Sequence, residues 1–404
     1  AGALNALASE PLFNLFFFLL LIVFAISFFG AFEIVLPSSW VNAADKNADK
    51  GGMIGIFFMA FTLALVSFSC TGPIVGTIIV EAARNGGLAP VIGMFGFSLA
   101  IALPFTFFAA FPGYLNSLPK SGGWLNSVKV VLGFLELAFA FKFLSNADMA
   151  LDLHILEREL FLAIWIAIFG TLALYLFGKI KLPHDSNMDH LPVSRMILGI
   201  VVLSFTIYMV PGLWGAPVKL ISGFPPSSNY AESPMGVGRE ASTVTQSAVQ
   251  SNLPIGMHPG PQGIPAFEDL KPALEYARQI NKPLMLDFTG KTCVNCRKME
   301  DNVWSNPEVK NHLTNDYVLV SLYVDLRTAL PENETYTSTE TGKKIRNIGQ
   351  KWADYQLTRF RIQGQPYYVL MTPDEKVINE PMAFNLDVEE YKTWLQDGLV
   401  QFKK

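Results

Sequence analysis

The stretch LDFTGKTCVNCRKMED, residues 286–301, decides how this chain is read. Its first residues close a short apolar run, Lys282 to Phe288, with the length and composition of a buried strand. From Cys293 to Val303 the chain lacks Gly and Pro and takes on helical character, so Cys293 and Cys296 stand where a strand-to-helix turn opens a helix. There the first sulfur meets unpaired backbone N–H groups and the positive end of the helix dipole, which favour a thiolate and lower its pKa below the ~8.5 of a free cysteine. Cys293 is the expected nucleophile. Cys296, one turn later on the same face, is placed to attack the resulting mixed disulfide and release the product. Asp287, at the end of the strand, and Glu300, four residues past Cys296, are candidate acids to hold or pass protons during exchange. The blander readings, a tolerated buried acid and a surface charge, stay open for both. A zinc half-site would need two more soft ligands, and this part of the chain adds no cysteine and only His312, with His258 further upstream.

Outward from the motif the chain continues as alternating elements. Phe267 to Ile280 has apolar residues at helical spacing, Val318 to Asp325 reads as a second strand, and Pro366 starts a third. Lys376 to Ile378 is a short edge strand and Val388 to Phe402 a closing amphipathic helix. Residues 266–404 therefore read as an α/β domain whose parallel strands are covered on both faces. Before it, residues 221–265 turn to Pro, Ser, Gly, Asn and Gln and read as an extended linker.

The rest is too apolar for water: of 404 residues 51% are hydrophobic and only 16% charged. Charge-free runs occupy Pro11 to Phe32, Met53 to Val80, Leu88 to Pro119, Leu160 to Gly178 and Met196 to Pro217, each near the ~20 residues that cross a bilayer as a helix. A further run, Trp124 to Ala147, carries Lys129, Glu136 and Lys142; Lys142 is placed to snorkel, and Glu136 sits nearer the middle. Residues 1–220 thus read as a polytopic α-helical membrane domain of about six helices. With alternate crossings, one set of loops holds Lys46, Lys50, Lys120, Lys179, Lys181 and Arg195, and the other only Arg84 and Arg158. The first set is cytoplasmic by the positive-inside rule, which puts the α/β domain on the far side. A net charge of -4 offers no field for nucleic acid.

The third cysteine, Cys70, lies inside a membrane run, where a cysteine is ordinarily a small apolar filler. Thr71-Gly72-Pro73 follow at once, and a proline there breaks the helical ladder. A broken membrane helix is tolerated where protein or water satisfies the freed groups, so a cavity reaching Cys70, and a redox role for it, are expected. Ala1 follows no initiating Met and reads as the edge of a processed or truncated chain.

Taken together, GAFEIVLPSS after the first run, SFSCTGPIVGTII in the second, LPKSGGWLNSVKVVLGF and LDFTGKTCVNCRKMED resemble the bacterial DsbD-type thiol:disulfide interchange family, in which a membrane electron carrier of the cytochrome c biogenesis kind is fused to a periplasmic thioredoxin-like domain. The resemblance implies that Pro366 is the cis-proline beside the sulfurs, where its missing N–H leaves neighbouring backbone free to pair with a substrate strand. It implies an inner-membrane protein-disulfide reductase with no cofactor beyond its redox-active cysteines. Cytoplasmic thioredoxin would be the electron donor, and periplasmic thiol proteins, disulfide isomerases or those of cytochrome c maturation, the acceptors. Set against that pattern, this sequence reads as starting near the family's third membrane helix, so that one of two membrane cysteines is expected within it and the first helices and the amino-terminal periplasmic domain are expected outside it. Thr292 stands where thioredoxins usually carry Trp, a change placed to alter partner docking, and Arg327 to Lys351 reads as an insertion. A rival from another class is a non-catalytic membrane subunit or channel-like protein with a thioredoxin-like binding domain.

Overall fold

The computed structural model describes residues 10–32, 123–183, 185, 190–233 and 253–404, with scattered helical positions between 92 and 106. The run Met53 to Val80, with Cys70 and Pro73, lies outside the described residues, as does most of Leu88 to Pro119. The remaining apolar runs are helices: α1 (Pro11–Phe28), α2 (Gly123–Leu151), α3 (Arg158–Leu176) and α4 (Val193–Met209), the last continued by a 3₁₀ turn to Trp214. Among the described residues, Pro11–Phe28, Arg158–Leu176 and Val193–Trp214 are long and apolar enough to cross a bilayer. Their outer surfaces stay apolar: Leu12 and Phe16 on α1 and Ile197, Val201 and Ile207 on α4 are exposed, a pattern that suits lipid as solvent. Close packing uses small residues, since a Cβ on Gly199 would come within 2.9 Å of the Phe177 ring. The indole N–H of Trp165 on α3 donates to the Ala138 carbonyl of α2 at 3.1 Å. One compact unit, Gly2–Ala25 with Phe134–Lys181 and Met188–Lys404, contains α3, α4 and the whole α/β domain, and the contacts described below lie within it.

The α/β domain holds a six-stranded sheet in the order β1-β2-β4-β3-β7-β8, from β1 (Met257–Pro259), β2 (Pro265–Phe267), β3 (Leu284–Thr289), β4 (Val318–Tyr323), β7 (Tyr367–Met371) and β8 (Met382–Ala383). The two short strands of the intervening hairpin, β5 (Tyr336–Thr337) and β6 (Lys344–Ile345), pair with each other and fill the expected insertion. The sheet is mixed, not parallel throughout: β2, β4 and β3 run parallel, while β1, β7 and β8 are antiparallel to their neighbours. On the β7 side the edge strand is β8; within the expected Lys376–Ile378, Val377 makes an isolated bridge to Met371. The expected linker is also shorter than the composition suggests. Its end supplies β1 and β2, and its start buries Ile221, Pro225, Pro226 and Tyr230, because prolines and an aromatic ring are as fit to pack as to stay extended.

Helices α5 (Leu270–Ile280) and α8 (Ile348–Phe360) cover one face of the sheet. The other face carries α6 (Val294–Met299), α7 (Pro307–Asn315) and α9 (Val388–Phe402). Side-chain alternation along β3 sorts Leu284, Leu286 and Phe288 into the first core and Met285 into the second. Asp287, two residues from Met285, falls on the α6 side by the same period. The expected helix from Cys293 to Val303 is interrupted: α6 ends at Met299 and a π-helical turn, Glu300–Trp304, follows. The wider turn buries the consecutive Glu300 and Asp301 together with Val303 and Trp304, whereas a regular helix would spread neighbouring positions by about 100°.

Candidate active site

Cys293 is the N-cap residue of α6, and its Sγ accepts the Cys296 backbone N–H at 3.1 Å. The two cysteines form a disulfide with their Cα atoms 5.3 Å apart. Cys293 is half-buried and Cys296 buried, so one sulfur is reachable from outside and the other lies behind it.

The loop that delivers them is held from β4. Asp325, just past that strand, accepts from Lys291 N at 2.9 Å and, through its other oxygen, from Thr292 N and Thr292 Oγ1, each at 3.0 Å. A Cβ on Gly290 would meet Asp325 Oδ2 at 2.9 Å, so this residue must lack a side chain for the carboxylate to reach the loop. Thr292, the departure from the thioredoxin pattern, therefore serves as an anchor of the loop. Gly349, at the start of α8, crosses the chain after β4 so tightly that a Cβ would lie 2.6 Å from the Leu326 carbonyl oxygen.

Behind the motif the α6 side of the sheet contains a group of buried charges. Arg297, on the turn after Cys296, is withdrawn from solvent and pairs with Glu300 Oε1 at 2.7 Å. Its guanidinium also reaches Thr289 Oγ1 and the Gly290 carbonyl at 3.5 Å, tying α6 to the end of β3. Asp287 has one carboxylate oxygen 3.5 Å from Ser321 Oγ and the other with no hydrogen-bond partner among the described residues. Burial pushes its pKa up to about 7, with Arg297 and the Ser321 hydrogen bond only partly offsetting it. Burial pushes Glu300 up to about 8; Arg297 opposes this, while Asp287 and Asp301 add to it. Asp301 is raised by burial as well, opposed by Arg158 and Arg297, and accepts from Gln262 Nε2 at 3.1 Å.

The Gln365–Pro366 peptide bond is cis. Because β7 is antiparallel to β3, with Tyr367 opposite Phe288, this bond lies at the end of the sheet from which β3 leads into the cysteines. The loop before it is fixed by Gln356, fully buried, whose Nε2 donates to the Gly364 carbonyl at 2.9 Å and whose Oε1 accepts the Gly364 N–H at 3.3 Å.

The structure thus brings Cys293, Cys296, Asp287, Glu300 and Pro366 to one end of the sheet, with Cys70 outside the described residues. Sequence reasoning missed Arg297, Asp301 and Asp325. Cys296-Arg297-Lys298 looks like a solvated basic stretch; the available signal was Arg297 three residues before Glu300, a spacing that lets the two pair on a helix. Glu136, singled out within α2, has its Oε2 buried without a hydrogen-bond partner among the described residues.

Comparison with known proteins agrees with both halves. Residues 1–147 match the family of the cytochrome C biogenesis protein transmembrane domain, and residues 270–398 the thioredoxin-like domain. The chain is 26% identical over 299 residues to the thiol:disulfide interchange protein DsbD of Vibrio vulnificus (strain CMCP6), covering 73% of this chain and 43% of the relative. With the protein of that name from Campylobacter jejuni (strain RM1221) it shares 27% over 327 residues, 80% of this chain and 50% of the relative. The Haemophilus influenzae (strain PittGG) relative extends the match to 384 residues at 24% identity, 94% of this chain and 55% of its own. The chain therefore spans about half the length of the curated relatives it matches. A solved structure titled DsbH Oxidoreductase aligns with 38% of this chain and 98% of its own at 20% identity, with a TM-score of 0.25 that carries no weight.

Proposed function

We propose that this DsbD-type chain, a membrane-helical domain joined to a thioredoxin-like domain, is a thiol:disulfide oxidoreductase that passes electrons across the bacterial inner membrane to protein disulfides in the periplasm. The observation that carries the reading is the Cys293–Cys296 disulfide at the start of α6, backed by the buried Asp287, Glu300 and Asp301 near the Arg297 guanidinium, with Arg158 also acting on Glu300 and Asp301. In the reduced domain the Cys293 thiolate, held by the Cys296 N–H, attacks one sulfur of a partner's disulfide. A bond forms between Cys293 and that sulfur, and the other partner sulfur leaves as a thiolate and takes a proton. Cys296 then loses its proton and attacks Cys293 Sγ; the internal disulfide closes and the second partner sulfur is released. Two electrons have moved to the partner, whose two released thiolates take their protons from water. Asp287 and Glu300, with pKa values near neutrality, are the buried groups able to take the Cys296 proton and return it in the reverse direction. Pro366, with no N–H of its own, borders the sulfurs where a substrate strand would lie.

The domain's disulfide is reduced again through Cys70: its thiolate attacks Cys293 Sγ and Cys296 leaves as a thiolate, then a second thiol attacks Cys70 Sγ, releasing Cys293 and leaving Cys70 in a disulfide that the electron donor reduces. Cytoplasmic thioredoxin is the proposed source of the electrons, and disulfide isomerases or thiol proteins of cytochrome c maturation the proposed acceptors. Thiol labelling of the full chain before and after mild reduction tests the chemistry: Cys293 and Cys296 gain label together and then transfer reducing equivalents to a protein disulfide, and Cys293→Ser transfers none. In cells Cys70→Ala leaves the pair oxidised. Sulfurs that remain free under oxidant overturn the exchange reading, and a reducible pair that never transfers favours a binding domain.

A further inference from the structure

The segment after α4 is fixed in place more firmly than a tether requires. Arg158, buried at the start of α3, donates through Nη1 to the Pro226 carbonyl at 2.7 Å and through its backbone N to the Tyr230 carbonyl at 3.0 Å. Tyr230 Oη donates to Asp148 Oδ2 at 2.8 Å, and its ring stacks on His154 with centroids 4.2 Å apart. Glu159 accepts the Glu232 and Ser233 N–H groups at 2.9 and 3.1 Å. The turn from Lys219 to Tyr230 is therefore a rigid platform on the α2–α3 junction.

The motif helix rests on that platform. Gly223 is buried, and a Cβ there would lie 2.6 Å from Val294 Cγ1 and 3.5 Å from Lys298 Cε. Asn302 Nδ2 donates to Ser222 Oγ at 3.4 Å. At the rim Lys291, in the loop leading to the cysteines, pairs with Asp152 beyond α2, and Arg327 with Glu10 before α1 at 2.7 Å. Exposed ion pairs contribute little to holding two bodies together, so the close fit at Gly223 decides the contact. Val294, between the two cysteines, keeps 40% of its surface, so the platform grips the flank of the motif and leaves the Cys293 edge half-open.

We propose that Lys219–Tyr230 is a docking seat for the chain's own Cys-X-X-Cys helix, that Gly223 sets the fit because no side chain can stand opposite Val294, and that the oxidised domain takes this seat while it receives electrons. The last clause rests on the exchange function proposed above; the seat itself does not.

Carbodiimide treatment of the full chain in detergent, followed by peptide mass spectrometry, tests the seat, because the reagent turns a carboxylate–amine ion pair into an isopeptide bond. The unaltered chain gives a Lys291–Asp152 product and, within the domain, a Lys392–Glu308 product from a pair 2.9 Å apart. In Gly223→Leu the first falls by about tenfold, the occupancy lost when a tight contact is overpacked, and the second persists as proof of a folded domain. Gly223→Ala lowers the first product, and adding Val294→Ala restores it by removing the opposing methyl groups. In cells Gly223→Leu leaves Cys293–Cys296 oxidised, although a chemical reductant opens it at the unaltered rate. An unchanged Lys291–Asp152 yield in Gly223→Leu, or a double variant no better than Gly223→Ala, overturns the seat; where Gly223→Leu loses both products, the alanine pair decides. Crosslinks that behave as stated in a chain that transfers no electrons count against the proposed function alone.

Discussion

Asp148 and Asp287 are both carboxylates withdrawn from water, at 5% and 1% exposure, yet the chain supplies them in opposite ways. Asp148, near the end of α2, accepts from Ile155 N at 3.2 Å, Leu156 N at 2.9 Å and Tyr230 Oη at 2.8 Å, so both of its oxygens hold structure. Asp287, on the interior strand β3, has one distant hydroxyl and an oxygen with no hydrogen bond among the described residues. Burying a charge is costly unless donors surround it, and a short supply of donors shifts the balance towards the protonated form. A saturated acid fastens backbone. A starved one exchanges protons near neutral pH, which is the property that thiol chemistry on α6 can use.

The largest effect expected from breaking this contrast is at the saturated site. Asp148→Ala leaves two backbone N–H groups and a tyrosine hydroxyl without their acceptor, at a cost of about 2–4 kcal/mol. Thermal unfolding of the detergent-solubilised chain should show the loss as a lower Tm, with labelling of reduced Cys293 and Cys296 unchanged. An unaltered Tm would mean that the turn after α2 does not depend on this carboxylate.

The two acids also differ in how far they could be read from sequence. Asp287 stood at the end of an apolar run, before a Cys-X-X-Cys turn, and the composition of a buried strand was enough to mark it as a buried acid. The same local signals located β3, β4, β7, α5 and α9. Asp148 carried no such signal: its partners lie seven, eight and 82 residues away, and nothing in Asn146-Ala147-Asp148 announces them. Arg297 and Asp301 were hidden for a related reason. Charged residues on a short helix read as solvated unless one knows that the π-helical turn rotates Glu300 and Asp301 together towards the sheet. β1 and β2 are three residues each, contain prolines and lie in a Pro- and Gly-rich stretch, so they gain their strand character only by pairing.

A smaller effect, with a distinctive pH dependence, is expected at the starved site. Asp287 titrates at about 7 in the folded chain against an ordinary 3.8, because burial disfavours its charge. Below about pH 4 folded and unfolded chains both keep the proton, and the site carries no penalty. As pH rises the unfolded chain releases its proton first, so stability falls until about pH 7 and remains low above it. Glu300 acts in the same direction up to about pH 8. Asp287→Asn should flatten the first part of this slope and gain about 1–3 kcal/mol at pH 8, while slowing disulfide exchange on the order of tenfold to a hundredfold and removing a titration near neutrality from its rate profile. Unfolding measured from pH 4 to 8 checks the slope; a variant with the original slope would locate the titrating group elsewhere.

The smallest effect separates the two kinds of acid within one site. Asp325 is supplied as fully as Asp148, with three donors at 2.9 to 3.0 Å, but it lies beside the cysteines, where Asp287 is starved. If donor supply decides what an acid does, the half-buried Asp325 positions the Lys291–Thr292 loop and takes no part in proton transfer. Asp325→Asn keeps one acceptor oxygen and turns an amide towards N–H groups that need the other, which should lower stability by about 1 kcal/mol. The loosened loop lets Cys293 leave its cap on α6, so exchange slows by a few-fold, in proportion to the time spent out of place. The pH at which the rate changes should stay where it is in the unaltered chain, because Asp287 and Glu300 keep their surroundings. A rate profile that moves along the pH axis in Asp325→Asn would show that this carboxylate shares the proton with the other two, and the distinction between saturated and starved acids would then fail where they stand closest to the chemistry.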